Sequence, residues 1–143
     1  MQTFLPYPSF TKSALSLDYR RLGKQRVEGR QILEILLGET DGGGWKNHPA
    51  VKMWRGYESA LAEYVLCICD VWVNIHGYKD NQAKIVQKLM DKHHLHLPVA
   101  PPWFGDPRLH LSHQSRLIQK DSYFYEDVFP DAPKNIPYWW PVK

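Results

Sequence analysis

Cysteine is scarce: the 143 residues contain 2, Cys67 and Cys69. Two positions apart on a helix, they point to different faces and cannot pair easily. A disulfide scaffold is therefore excluded, and both read as reduced thiols of a cytoplasmic protein. No run of about 18 apolar residues exists, so no membrane span is expected. The opening MQTFLPYPSF has no basic stretch leading into a long apolar one, so it does not read as a signal peptide. P-loop, dinucleotide fingerprint, G-x-S-x-G elbow, HExxH and Cys/His zinc spacing are all missing. His93, His94, His96, His110 and His113 crowd together, yet no carboxylate cluster accompanies them. They read as surface or phosphate-facing residues before metal ligands. Repeats, period-two alternation and hairpin signals are missing as well.

What remains has the composition of one soluble domain, 43% apolar and 23% charged. Aromatics reach 13%, with 6 Trp and 8 Tyr. The formal net charge is only +3, but it is unevenly spread. Arg20, Arg21, Lys24, Arg26 and Arg30 surround Glu28, while Asp121, Glu126, Asp127 and Asp131 gather toward the end. A basic patch in an aromatic-rich chain fits a polyanion with stackable bases. It equally fits a solvated helix face.

Hydrophobic spacing predicts helices throughout, hence an all-α fold: a compact bundle with a long central helix and an irregular aromatic, proline-rich tail. Thr11 is a cap candidate for a short helix ending near Leu17. Asp18 is the cap for a second, closed by Gly38. From Asn47-His48-Pro49 a single apolar stripe runs through Val51, Trp54, Tyr57, Leu61, Tyr64, Ile68, Val71, Trp72 and Ile75 to Gly77. At 1.5 Å per residue that is one helix of roughly 40 Å. Asp80 caps the next, with Ile85, Leu89 and Met90 inward. Asp106-Pro107 opens a last helix through about Lys120. From Tyr123 onward the chain reads as an irregular strap that buries Trp139 and Trp140.

Two clusters carry possible chemistry. On a helix, Glu28 shares its face with Lys24, Gln25 and Gln31, and Arg21 lies two turns back. The carboxylate either balances charge or stabilises a cation forming on a DNA-bound sugar while the bases hold phosphates. In the last helix His113, Arg116 and Lys120 fall three and four apart, forming one stripe. Tyr123, Phe124 and Tyr125 follow directly. This stripe fits phosphate contact with base stacking, or a solvated face with a core anchor.

With these clusters in place, the order of segments resembles the pyrimidine-dimer DNA glycosylases, the phage-type endonuclease V enzymes. A short N-terminal arm precedes Leu17-Asp18, Arg26 and Glu28. His48-Pro49 follows, then an amphipathic helix ending in the turn His76-Gly77-Tyr78. Last comes the run from Ser112 to Lys120 with aromatics behind it. The resemblance implies a compact, helical, metal-free enzyme that flips a nucleotide out of the duplex, cuts the glycosidic bond and cleaves the abasic strand. In that family the N-terminal α-amine attacks the sugar C1′ to form an imine. An α-amine, near 7.7–8.0 against about 10.4 for a lysine side chain, offers more free nucleophile at neutral pH.

Carried over by position, the resemblance makes Glu28 the catalytic glutamate and Arg26 the arginine beside it. Gln2 is large where the family pattern has a small residue. Met1 is therefore expected to stay on and its amine to be the nucleophile. Arg20, Arg21, Lys24, Arg30, His113, Arg116, Lys120, Tyr123 and Tyr125 are the expected DNA contacts. The expectation is a cytoplasmic, nucleoid-associated monomer acting on double-stranded DNA, with no metal, nucleotide cofactor or membrane. A non-catalytic DNA-binding module of the same fold remains an alternative. So does a small helical interaction protein docking through Trp139-Trp140.

Overall fold

The computed structural model describes residues 1–143 and contains helices and no strands. The α-helices are α1 (Phe10–Ser16), α2 (Tyr19–Leu36), α3 (Pro49–Lys52), α4 (Glu58–Asn74), α5 (Gln82–Lys92), α6 (Pro107–Lys120) and α7 (Ser122–Val128). A 3-10 turn at Gly43–Asn47 precedes α3. None of these helices is long and apolar enough to cross a membrane.

The central pair is α2 on α4. Two glycines let the helices approach closely. A Cβ on Gly29 would lie 2.6 Å from Val65 Cγ2, and one on Gly23 would lie 2.8 Å from the Trp72 ring. Leu22, Ile32 and Leu33 from α2 meet Leu61, Val65 and Ile68 from α4, all fully buried. Helix caps follow local chemistry. The Asp18 side chain accepts from Arg21 N, and the Asp106 side chain accepts from Arg108 N. Gly38, at φ 76, closes α2 with a Glu39 N to Glu34 O bond.

Several expectations give way. α1 is capped by Ser9, not Thr11. The single 40 Å helix is broken: α3 stops after one turn and α4 has 17 residues, about 25 Å. Gly56 sits between them at φ 89, outside helical space. The break swings Trp54 fully inside, and Met53 O, freed from the helical ladder, accepts from Trp103 Nε1 at 3.0 Å. Residues 122–128 form a helix where an irregular strap was expected, because the Asp121 carboxylate caps Phe124 N. The strap begins later. There Ile136 N bonds Ser115 Oγ and Trp139 N bonds Ser112 Oγ, leaving Trp139 and Trp140 half-buried.

Candidate active site

The chain before α1 forms no regular secondary structure, and Gln2, Thr3, Phe4 and Leu5 are buried among helices. A buried segment outside any helix or sheet must find partners for its backbone groups elsewhere. Polar side chains of the helices supply them. Gln25 Nε2 donates to Gln2 O at 2.9 Å, and its Oε1 accepts from Phe4 N at 2.8 Å. Tyr64 OH donates toward Phe4 O at 2.9 Å. His113 Nδ1 accepts from Leu5 N at 2.8 Å, and His110 Nδ1 lies 2.7 Å from Leu5 O. Gln114 Nε2 donates to Pro6 O, and Ser13 Oγ bonds both Tyr7 N and Tyr7 O. Trp54 Nε1 donates to the Thr3 hydroxyl.

This arm ends at Glu28. The Gln2 backbone N–H donates to Glu28 Oε2 at 3.0 Å, and Lys24 Nζ lies 3.5 Å from Oε1. The Glu28 side chain is 16% exposed, whereas Lys24 is 73% exposed. Above them opens a cavity of about 640 Å³, walled by Met1, Gln2, Arg20, Arg21, Lys24, Glu28, Lys120 and Tyr138 among others. Cations from both α2 and α6 thus face Glu28 and the first residue, with Asp18 and Asp121, whose carboxylates cap α2 and α7, at the same wall. Gln2 Nε2 is buried at this wall without a partner. Partial burial pushes the His48 imidazole down, and the positive charge of the N-terminal amine adds to this.

The structure sorts the expected residues into three groups. Met1, Glu28, Arg20, Arg21, Lys24 and Lys120 gather at the cavity. Tyr123 stands 94% exposed on α7, and Arg116 is half-buried with its guanidinium 5.0 Å from the Tyr138 ring centroid.

The other expected contacts lie elsewhere. His113 has no exposed surface, and burial pushes its imidazole down to about 3, so it holds the arm as a neutral acceptor and meets no phosphate. His110 is buried beside it, correcting the reading of both as surface residues. Tyr125 is fully buried and donates to Asp18, tying α7 to the start of α2, so its ring cannot stack on a base. Burial alone would raise the Asp18 carboxyl. Hydrogen bonds from Tyr125 and Arg21 outweigh it and hold the group below its ordinary value. Arg26 points away from Glu28, pairs with Asp80 and stacks 4.5 Å from the Trp72 ring centroid. Arg30 is held by Glu34 and by Gln82 Oε1.

Sequence reasoning names Gln2 and Gln25 without a role in the site and misses Tyr138. Gln25 carried a usable signal, an amide on the same helical face as Glu28. Tyr138 lay in the segment read as a plain strap.

No curated protein and no solved structure matches this chain. The family model for pyrimidine dimer DNA glycosylase matches residues 1–86, a span that carries the arm, Glu28, its basic neighbours and the α2–α4 pair. The chain belongs to the pyrimidine dimer DNA glycosylase family.

Proposed function

We propose that the protein excises a damaged pyrimidine from double-stranded DNA, a cyclobutane dimer being the best fit. It then cleaves the abasic strand through an imine formed on its N-terminal amine. The observation that carries this reading is the Gln2 N to Glu28 Oε2 bond, which seats the start of the chain against a carboxylate inside a basic cavity.

The steps follow from charge. The extruded nucleotide enters the cavity, its phosphates drawn to Arg20, Arg21, Lys24 and Lys120. As the bond from C1′ to the base breaks, positive charge develops on the sugar, and the Glu28 carboxylate stabilises it. The amine attacks C1′ as the base departs with the bonding electron pair. Loss of the amine proton and opening of the C1′–O4′ bond, with a proton taken up by O4′, then give the imine; removal of a C2′ proton expels the 3′ phosphate and cleaves the strand. With Met1 in place as the first residue, the amine is that of Met1, at the cavity wall. The Gln2 bond supports a second version: removal of Met1 would make that nitrogen, 3.0 Å from the carboxylate, the nucleophile.

Base release from a dimer-bearing duplex, compared between the native protein and Glu28→Gln, tests the reading. The expected loss is about 10²–10³-fold in rate, with duplex affinity within about threefold of native. Equal base release by the variant would remove Glu28 from the chemistry.

A further inference from the structure

The turn at His76-Gly77-Tyr78 has no part in the cavity, yet it is built with care. Gly77, at φ 75, reverses the chain after α4. Tyr78 N donates to Trp72 O at 3.2 Å, and Trp72 Nε1 donates to Lys79 O at 2.9 Å. These bonds lay the Tyr78 ring over Trp72, with centroids 4.5 Å apart. Beneath Trp72 sits the Arg26 guanidinium, fixed in turn by Asp80. Gly23 leaves the room that the Trp72 ring fills. Arg26, Trp72 and Tyr78 therefore form a rigid pedestal.

Its top is exposed aromatic surface. Tyr19, at the start of α2, lies 6.1 Å from Tyr78, and the two residues are 47% and 43% exposed. Exposed His76 runs nearly parallel to Tyr78 at 6.3 Å. The residues next in sequence to the two tyrosines are basic: Arg20 and Lys79 are both exposed. The carboxylates adjacent in sequence are occupied, Asp18 by Tyr125 and Arg21, Asp80 by Arg26. Arg20 joins this surface to the cavity: it lines the cavity wall while its guanidinium lies 5.7 Å from the Tyr19 ring centroid.

We propose that Tyr19 and Tyr78 form a second nucleic-acid contact, a stacking platform for one unpaired nucleobase of the DNA beside the cavity. The inference rests on the DNA reading above and extends it to a site outside the chemistry. Extruding a nucleotide unstacks its neighbours, and a preformed aromatic surface would recover that lost stacking without an ordering cost. Every base has a π-face, so the platform is indifferent to sequence.

The test is binding of a short fluorescent single strand at low salt, measured by anisotropy for native protein, Tyr19→Ala, Tyr78→Ala and Tyr78→Phe. A parallel strand carries 2-aminopurine, whose fluorescence falls on stacking. Each alanine variant is expected to weaken binding about tenfold, equally for thymine-rich and adenine-rich strands. Tyr78→Phe is expected to bind within about threefold of native, and 2-aminopurine quenching to disappear in Tyr19→Ala. Thermal melts accompany each variant. If Tyr78→Ala unfolds, Tyr19→Ala, which leaves the pedestal intact, decides. Native affinity and full quenching in Tyr19→Ala would overturn the platform while leaving the DNA reading standing. Native protein that binds no DNA at all would overturn both.

Discussion

The backbone nitrogen of Gln2 donates to Glu28 Oε2 at 3.0 Å, joining the start of the chain to the carboxylate at the floor of a basic cavity. Everything that holds the buried arm, from Gln25 on α2 to His113 on α6, serves to fix that contact. A reaction that depends on an N-terminal nitrogen needs such restraint, because chain ends otherwise fray. Helices dominate the fold, but the first residues, which belong to no helix, position the site.

Gln25 is the residue on which this restraint turns. Gln25→Ala leaves Gln2 O and Phe4 N without partners in a region where both Gln2 and Phe4 are 6% exposed. Unsatisfied buried groups cost about 1–3 kcal/mol each. The expected loss is about 3 kcal/mol, or roughly 10 °C in Tm. Base release measured below the new Tm should fall as well, since the arm is no longer seated. A variant with native Tm and native activity would show that the arm is held by other means.

His113 makes stability depend on pH. Unfolded, an imidazole takes up its proton near 6.5. Folded, His113 resists protonation down to about 3. Between those values the unfolded chain binds more protons, so stability rises with pH and is lost as pH falls below about 6.5. This residue contributes up to about 1.4 kcal/mol per pH unit. His110, also pushed down by burial, acts in the same direction. Urea midpoints taken between about pH 7 and 5 should fall steeply for the native protein and less steeply for His113→Gln. Equal slopes would contradict the neutral, buried assignment.

Lys120 and Arg30 separate cavity cations from structural ones. Lys120 lines the cavity from α6, whereas Arg30 is engaged by Glu34 and Gln82. Duplex affinity against salt should give a logarithmic slope that shrinks by about 0.9 in Lys120→Ala, one phosphate contact fewer. Arg30→Ala should leave the slope unchanged. The reverse pattern would place the DNA path on the far face of α2.

Local signals made much of this molecule legible from the sequence. The Asp18 and Asp106 caps, the Gly38 stop and the α2 and α6 faces depend on neighbours within a few residues. So does the convergence of Arg21 and Lys24 around Glu28. The break between α3 and α4 was hidden because Trp54 and Tyr57 keep the apolar period across it. Only Gly56, a single weak breaker, marked the place. His113 was misread for a different reason. Its helical spacing from Arg116 and Lys120 suggested one stripe, but the residue that claims it, Leu5, lies 108 positions away. Tyr125 was likewise claimed by Asp18 across 107 positions. No local pattern encodes partners at that range, and Tyr138 reaches the cavity wall from the tail by packing on Arg116 and His113 of α6.

The most direct measurement is borohydride trapping on a duplex with an abasic site, followed by mass-spectrometric mapping of the linked peptide. The account predicts a covalent adduct on the N-terminal peptide, carried by Met1 or, if Met1 has been removed, by Gln2. Lys24, whose Nζ lies 3.5 Å from Glu28 Oε1, is the rival amine at the same carboxylate. An adduct mapping to Lys24, or no adduct from protein that binds the duplex, would contradict the N-terminal mechanism.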